Sequence, residues 1–466
     1  METTAFSVWP VQRGEYGKLI PLLVMQFFAS FNFTVLHAMK DTLIITSKGS
    51  GAEAIPILKG LFVLVFAFLA MVIYAKLSNI LSRSKLFYAT IIPFLLFFLS
   101  YAFVLYPYRE SLAPHESANW LVSFFGKKRE HFIAVYRYWT DSLLFLVAEL
   151  WGSIVITLLF WGFANRVNNL QEASRFYTLF SAGGQVGVIC ASPLIWFFAT
   201  HFTDYKLTIQ WLMGLVIFGT LVIMAGFSWL SKRLSLAEKT APPNKRSASL
   251  KKSCLLVLRS PTLGAIALMV IGYGLCVNMI EVSWKALLKK QYPLPADYQA
   301  FMGVLSGITG VTSLLLALFV GGNLIRKWGW YPAALSSPLI IGITTGIFFL
   351  VYFVSTTLTL IILAGAFHHV LCKSMKYCLF DTTKEMAYIP LDSETQTKGK
   401  PAVDVVATRL GQAGSSWIQT GLLELFGAGS ILSITPYLAP FILLSLTAWL
   451  FGIRQLKGPA LESTLE

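Results

Sequence analysis

The sequence predicts an all-α polytopic membrane protein of about twelve transmembrane helices, and three observations carry that expectation. Of its 466 residues, 56% are hydrophobic and only 13% are charged, where an ordinary soluble domain carries about 25% charged residues. Mean hydropathy is +0.67. The apolar residues gather into runs of about 20, the length a helix needs to cross the hydrocarbon core of a bilayer. The longest break in that pattern, residues 231–253, is basic, contains Pro and Ser, shows no apolar periodicity and cannot span.

Taken in order, the runs place spans near 19–42, 55–76, 86–107, 138–164, 174–200, 207–230, 262–286, 300–323, 331–354, 356–376, 401–427 and 433–453. Polar residues interrupt the first, fifth and eleventh. The basic segment divides six spans from six, so the expected organisation is an N-terminal half at 1–230, a linker at 231–260 and a C-terminal half at 261–466. A six-plus-six plan is the layout of major-facilitator-type transporters, whose halves rock around a site near the bilayer midplane. It rests on span count and linker position, since the two halves show no strong repeat. Alternate short loops carry Lys76, Arg83, Lys85, Arg166, Arg175, Arg326 and Lys327, and the linker is basic as well. By the positive-inside rule these face the cytoplasm, together with both termini. The loop with Lys127, Lys128 and Arg129 runs against this bias but is long enough to weigh less. Residues 1–18 lack the features of a cleaved leader, so the run from Leu19 reads as a first span.

Several function classes fall away. The formal charge of +15 lies between apolar runs rather than on one basic face, which argues against nucleic acid as partner. Five cysteines without a C-x-x-C pair propose neither a disulfide framework nor a zinc site, and the adjacent His368 and His369 point to different helix faces. No metal site and no cofactor are expected. No phosphate-binding loop of the G-x-x-x-x-G-K-[ST] type occurs, so bound phosphate would rest on Lys, Arg and helix N-termini. No arrangement of nucleophile, base and oxyanion donors supports an enzyme.

Charges inside the apolar runs point to function, because a charge at bilayer depth costs at least about 2.5–3.5 kcal/mol and is kept where it faces a cavity or a partner. Lys40 and Asp41 break the first span; Lys40 reads either as a site residue or as a lysine snorkelling from a span end. Glu149 lies in DSLLFLVAELWGSIVITLLFWG with no basic residue before Arg166, and reads as a site residue or as a Glu hydrogen-bonded to a neighbouring helix. Glu281 precedes Lys285 by one turn, a spacing that also makes ordinary surface pairs. Arg137 and Asp141 share that spacing and read as an interfacial pair. Gly183, Gly184 and Gln185 sit in a run of small residues that permits close helix approach, with Gln185 able to hydrogen-bond a substrate. A strip from Lys373 to Arg409 is dense in charge and hydroxyls, and Lys398 and Lys400 lie at the mouth of the eleventh span.

That strip contains KYCLFDTTKEMAYIPLDSETQTKGKPAVDVV, residues 376–406, which closely resembles the signature of the plastid-type nucleotide transporters, the ATP/ADP translocases of plastids and obligate intracellular bacteria. KDTLIIT at 40–46, GAEAIPILK at 51–59, AELWGS at 148–153, FWGFAN at 160–165 and IEVSWK at 280–285 match in family order. The resemblance implies a carrier of intact nucleotides in the inner membrane of an intracellular bacterium, with transport-relevant charges at Lys40, Glu149, Glu281 and the lysines of KGK, Lys398 and Lys400. The chain departs from the family at Gly183-Gly184-Gln185, where G-A-N is usual, and before Lys40, where Leu36-His37-Ala38-Met39 replaces an Arg-containing stretch. ATP/ADP exchange is therefore the leading expectation. Proton-coupled import of GTP, UTP or CTP, with H+ as coupling ion, and NAD transport are alternatives within the family. A facilitator for other solutes and a non-transporting scaffold are the rivals outside it.

Overall fold

A computed structural model describes residues 13–168, 170–234, 257, 259–389, 391, 400, 402–427 and 429–457. Eleven of its helices are long and apolar enough to cross a membrane. In chain order they are α1 (Tyr16–Thr46), α2 (Ala54–Ile80), α3 (Arg83–Leu105), α4 (Trp139–Val167), α5 (Leu170–His201), α6 (Tyr205–Arg233), α7 (Pro261–Gln291), α8 (Pro295–Trp328), α9 (Trp330–Val354), α10 (Leu358–Ala387) and, after the helix described next, α12 (Ile431–Leu456). The helix α11 (Thr408–Leu425), entered through a wider π-helical stretch at Ala402–Ala407, fills the remaining place. Its polar residues Arg409, Gln412, Ser415, Ser416 and Gln419 lower its hydropathy, and Ser415, Ser416 and Gln419 are buried against neighbouring helices. No strand occurs among the described residues.

The structure lengthens two elements. The first span runs unbroken through Lys40 and Asp41, because both are buried and paired and neither ends the helix. The tenth continues past its expected end near 376 to Ala387, so the start of the charged strip is helix. Lys384 holds Asp404 at 2.9 Å, and Lys400 pairs with Glu385. The basic segment 231–260 and residues 392–399 fall largely or wholly outside the described residues.

Leu61, Phe66, Phe68, Leu96, Trp211, Phe218, Ile343, Leu350, Phe353, Leu443 and Leu444 are exposed on the spans, the pattern of a surface solvated by lipid. One apolar core lies wholly within α1 to α6. A second is built from α7 to α12 and takes in Ile44, Ile45, Ala54, Ile55 and Leu58 from the α1–α2 corner. That corner marks the end of the bundle where the two sets of six helices meet.

Cross-set contacts gather at that end. Along α5 and α8, a Cβ added to Gly303 would lie 3.0 Å from Ile195 and one on Gly310 2.9 Å from Ile189, so the small residues are what let the two helices touch. Trp417 on α11 donates its ring N–H to the Gly60 carbonyl of α2 at 3.0 Å. The Glu53 carboxylate accepts the Ile431 N–H at 2.9 Å, and Tyr205 bonds Gln299. At the opposite end, ion pairs such as Lys18–Glu172 (2.5 Å) and Arg175–Glu15 (2.6 Å) stay within the first six helices. Lys384–Asp404 and Lys376–Asp381 stay within the last six.

Candidate functional site

Six side chains from four helices form a run of alternating charge at the meeting of the two sets. On α11, Arg409 Nη1 lies 3.8 Å from Glu149 Oε2 of α4. Glu149 Oε1 lies 3.1 Å from Lys40 Nζ of α1, an ionic contact without hydrogen-bond alignment. Lys40 donates to Asp41 Oδ1 at 2.8 Å, and Asp41 Oδ2 accepts from Lys285 Nζ of α7, also at 2.8 Å. Lys285 donates in turn to Glu281 Oε1 at 2.6 Å. The order is Arg409, Glu149, Lys40, Asp41, Lys285, Glu281, so every charge but the last in each direction lies between two of opposite sign. Such pairing is the condition under which charges persist at membrane depth.

Exposure grades along this run. The side chains of Lys40, Lys285 and Asp41 are 0%, 1% and 3% exposed, whereas those of Glu149, Glu281 and Arg409 retain 8%, 10% and 12%. The first three are sealed by protein and the others approach open space. Lys40 is also capped by the Phe145 ring, 4.0 Å from its ammonium to the ring centroid, which adds a cation–π contact and excludes a snorkelling geometry.

The backbone explains why these side chains converge. Lys40 and Asp41 are successive on one helix, so they project about 100° apart, one toward α4 and the other toward α7. Trp151 fixes α4 to α1 by donating to the Ala29 carbonyl at 2.9 Å. Trp284 fixes α7 to α10 by donating to the Ile362 carbonyl at 3.0 Å, and a Cβ on Gly365 would fall 2.0 Å from its ring. Wider π-helical stretches lie beside the layer, at Leu58–Val63, Gly152–Trp161, Lys376–Phe380 and Ala402–Ala407. Such stretches recur at functional sites because they re-aim side chains that a regular α-helix would point elsewhere.

Of the residues singled out from sequence, Lys40, Glu149 and Glu281 meet in this layer. The Glu281–Lys285 pair forms as its spacing expects, but it is buried rather than on the surface. Gln185 stands apart: its neighbours Gly184 and Gly187 pack on Gln26, Ser30 and Phe27 of α1, roughly 15–20 Å along that helix from Lys40. The close approach expected of the small residues is present there, since a Cβ on Gly187 would lie 2.4 Å from the Phe27 carbonyl oxygen. Lys400 is 40% exposed, near the Tyr388 ring and paired with Glu385, outside the layer. Lys398 lies outside the described residues. Arg137 and Asp141 do not pair. Asp141 accepts from Tyr101 Oη at 2.7 Å while Arg137 donates to Asn119, because Tyr138 interrupts the helix between them.

Asp41, Lys285, Arg409, Lys59 and Lys373 carry charge at the same level without having been chosen as site residues. Lys59 donates to Asn278 Oδ1 of α7 at 2.9 Å. Lys373 is half-buried on α10, one turn beyond His369. His369 stacks on Trp284 with ring centroids 5.3 Å apart, and His368 meets Thr344 at 2.9 Å. Among the described residues no group of three His, Cys, Asp or Glu is placed to hold a metal ion.

Eleven helices apolar enough to cross a membrane, with α11 packed among them beside a buried layer of paired charges, make this a polytopic membrane protein. Solved structures agree on the fold. A bacterial homologue of the iron transporter ferroportin in an inward-facing state matches with TM-score 0.61 at 16% identity, over 95% of this chain and 98% of that one. A nucleoside transporter mutant matches with TM-score 0.58 at 10% identity, over 93% and 98%. By sequence, residues 1–459 match the family described as TLC ATP/ADP transporter, and the chain belongs to that family. ADP,ATP carrier protein 1 of Chlamydia muridarum is 42% identical over 97% of this chain and 90% of its own length. ADP,ATP carrier protein 1, chloroplastic, of Arabidopsis thaliana is 36% identical over 97% and 75%, and ADP,ATP carrier protein 1 of Rickettsia prowazekii is 33% identical over 97% and 94%.

Proposed function

We propose that this chain exchanges intact adenine nucleotides, ATP against ADP, by alternating access of two halves, 1–230 and 261–466, joined by the linker 231–260. The observation that carries the reading is the family match over residues 1–459 with relatives named ADP,ATP carriers. The ionic layer supplies its physical counterpart. A polyanion entering from the loosely joined end meets Arg409, Glu149 and Glu281 first, then Lys40 and Lys285 behind them. Its phosphates compete with the carboxylates for the cations, so binding loosens Asp41 from Lys285 and frees the other end of the bundle to part.

In this scheme Lys40 neutralises phosphate, Glu149 and Glu281 hold the cations in place when the site is empty, and Gln185 reads the base or ribose from α5. Lys398 and Lys400 attract the nucleotide at the mouth of α11. Both termini and the loosely joined end face the cytoplasm, in keeping with the Lys and Arg of the loops there and of the linker. The membrane is the inner membrane of a bacterium, a reading supported by relatives from Chlamydia and Rickettsia.

The experiment is uptake into proteoliposomes preloaded with ADP, ATP or no nucleotide, offering labelled ATP, GTP, UTP, CTP and NAD with and without a proton gradient. The expected result is ATP uptake that requires internal ADP or ATP and ignores the gradient. Uptake into empty vesicles that collapses with uncoupler would replace exchange by proton-coupled import.

A further inference from the structure

Among the described residues, the layer at the helix crossing is not electrically balanced. Lys40, Lys59, Lys285, Lys373 and Arg409 face three carboxylates, Asp41, Glu149 and Glu281. All three carboxylates are engaged: Asp41 holds Lys40 and Lys285, Glu149 holds Lys40 and Arg409, and Glu281 holds Lys285. Two cations, Lys59 and Lys373, have no carboxylate within ion-pair distance among the described residues. Lys59 is buried, 8% exposed, and its hydrogen-bond partner is the neutral Asn278 amide. Lys373 is half-buried on α10, one turn beyond His369, whose ring stacks on Trp284 of α7 beside Lys285.

An unmatched ammonium at membrane depth is unfavourable by several kcal/mol unless a counter-charge arrives. Pairing would have been simple, since one acidic residue at Asn278 would neutralise Lys59. The neutral amide instead holds the lysine in position without consuming its charge. Lys59 belongs to α2 in the first set of helices and Lys373 to α10 in the second. An anion bridging them would tie the sets together at the moment the site fills.

We propose that Lys59 and Lys373 form the subsite for the terminal phosphates of a nucleoside di- or triphosphate, one lysine from each half. The proposal rests on the nucleotide-carrier reading above and adds to it the residues that sense phosphate number. Lys40 and Lys285 keep their carboxylate partners until the bound phosphates displace them. Asn278 is a positioning residue: its side chain donates to the Gly274 carbonyl at 2.8 Å, which fixes the amide so that Oδ1 faces Lys59.

The test measures equilibrium binding of ATP, ADP, AMP and adenosine to the purified full-length chain, comparing wild type with Lys59→Gln, Lys373→Gln, Lys59→Arg, Lys373→Arg and Lys327→Gln. Loss of one charge-assisted contact to phosphate corresponds to roughly ten- to a hundred-fold in affinity. The Gln variants are expected to lose about that factor for ATP and ADP, to bind adenosine as wild type does, and to be rescued in part by Arg. Lys327→Gln, an exposed lysine outside the site, should leave all four affinities within about threefold. Losses equal for ATP and adenosine, or ATP affinity unchanged in both Gln variants while wild type binds, overturn the subsite alone. A wild-type chain that binds no nucleotide overturns the reading beneath it as well. If Lys59→Gln fails to fold, Lys373→Gln and the two Arg variants decide the matter by the same phosphate-number comparison.

Discussion

Asp41 on α1 and Lys285 on α7 are joined by a 2.8 Å ion pair that crosses from the first six helices to the last six. Each already has a partner of opposite charge on its own side, Lys40 for Asp41 and Glu281 for Lys285. The pair can therefore break without stranding either charge. A latch between two rocking halves needs that property, since an ion pair that left a bare charge on opening would lock the carrier shut.

Removing one charge from this pair should uncouple the halves. Asp41→Asn and Lys285→Gln are each expected to lower exchange by at least about tenfold, and the reversed pair Asp41→Lys with Lys285→Asp to recover part of it. Reversal also places like charges beside Lys40 and Glu281, so recovery stays incomplete. The measurement is exchange in proteoliposomes, with monodispersity of the purified variants as a folding control. Additive losses in the double variant would show that the two residues do not act as a pair.

Glu149 serves two cations from one carboxylate. Replacing it by Gln leaves Lys40 dependent on Asp41 and leaves Arg409 with Ser153 and Gln412 as neutral partners. Breaking a buried pair on one side costs about 3–5 kcal/mol, so Glu149→Gln should melt several degrees lower in detergent and exchange more than tenfold slower. Glu149→Asp retracts the carboxylate by one methylene. The Arg409 contact is already 3.8 Å, against 3.1 Å for Lys40, so the shorter side chain should lose Arg409 first and give an intermediate rate. Wild-type exchange by Glu149→Gln would remove the residue from the site.

The span plan was legible because a bilayer demands about 20 apolar residues whatever they later pack against. Lys40, Glu149 and Glu281 were legible for the same reason: each is a charge where the run around it is apolar. Asp41 and Lys285 were present in the sequence but read as a polar break and a surface partner, because span ends carry such residues for trivial reasons. Lys59 lies at the start of its apolar run and Lys373 near the end of another, so neither interrupts a pattern. What places them is the crossing of helices far apart in sequence, which no local period reports. The eleventh span shows the converse. Polar residues interrupt the run placed at 401–427, and burying them against its neighbours is how it brings Arg409 to the layer.

Arg129 and Glu424 also join the two sets of helices, with Nη2 and Oε2 2.7 Å apart and a second contact through Nε. Their side chains are 51% and 40% exposed, in contrast to the sealed Asp41–Lys285 pair. Water and salt screen the outer pair, and exposed pairs contribute little. Arg129→Gln should therefore keep its exchange rate within about threefold of wild type, with the salt dependence unchanged. A tenfold loss would move the latch from the buried layer to the surface of that end.

The unmatched charge in the layer bears on why transport would be exchange rather than leak. An empty carrier must pass through an occluded state in which the surplus ammonium groups are cut off from water on both sides, and desolvation raises that barrier. A nucleotide brings the counter-charge and lowers it, so reorientation follows loading. Lys373→Gln removes half of the surplus while leaving every carboxylate pair of the layer intact. It should raise efflux of labelled ATP from loaded vesicles into nucleotide-free buffer relative to exchange, by severalfold in the ratio of the two rates. Taking the ratio cancels the weaker binding that the same substitution causes, since both modes begin from the same loaded inner site. A ratio equal to that of wild type would mean that the barrier to empty reorientation is set by packing along α5 and α8 and not by charge.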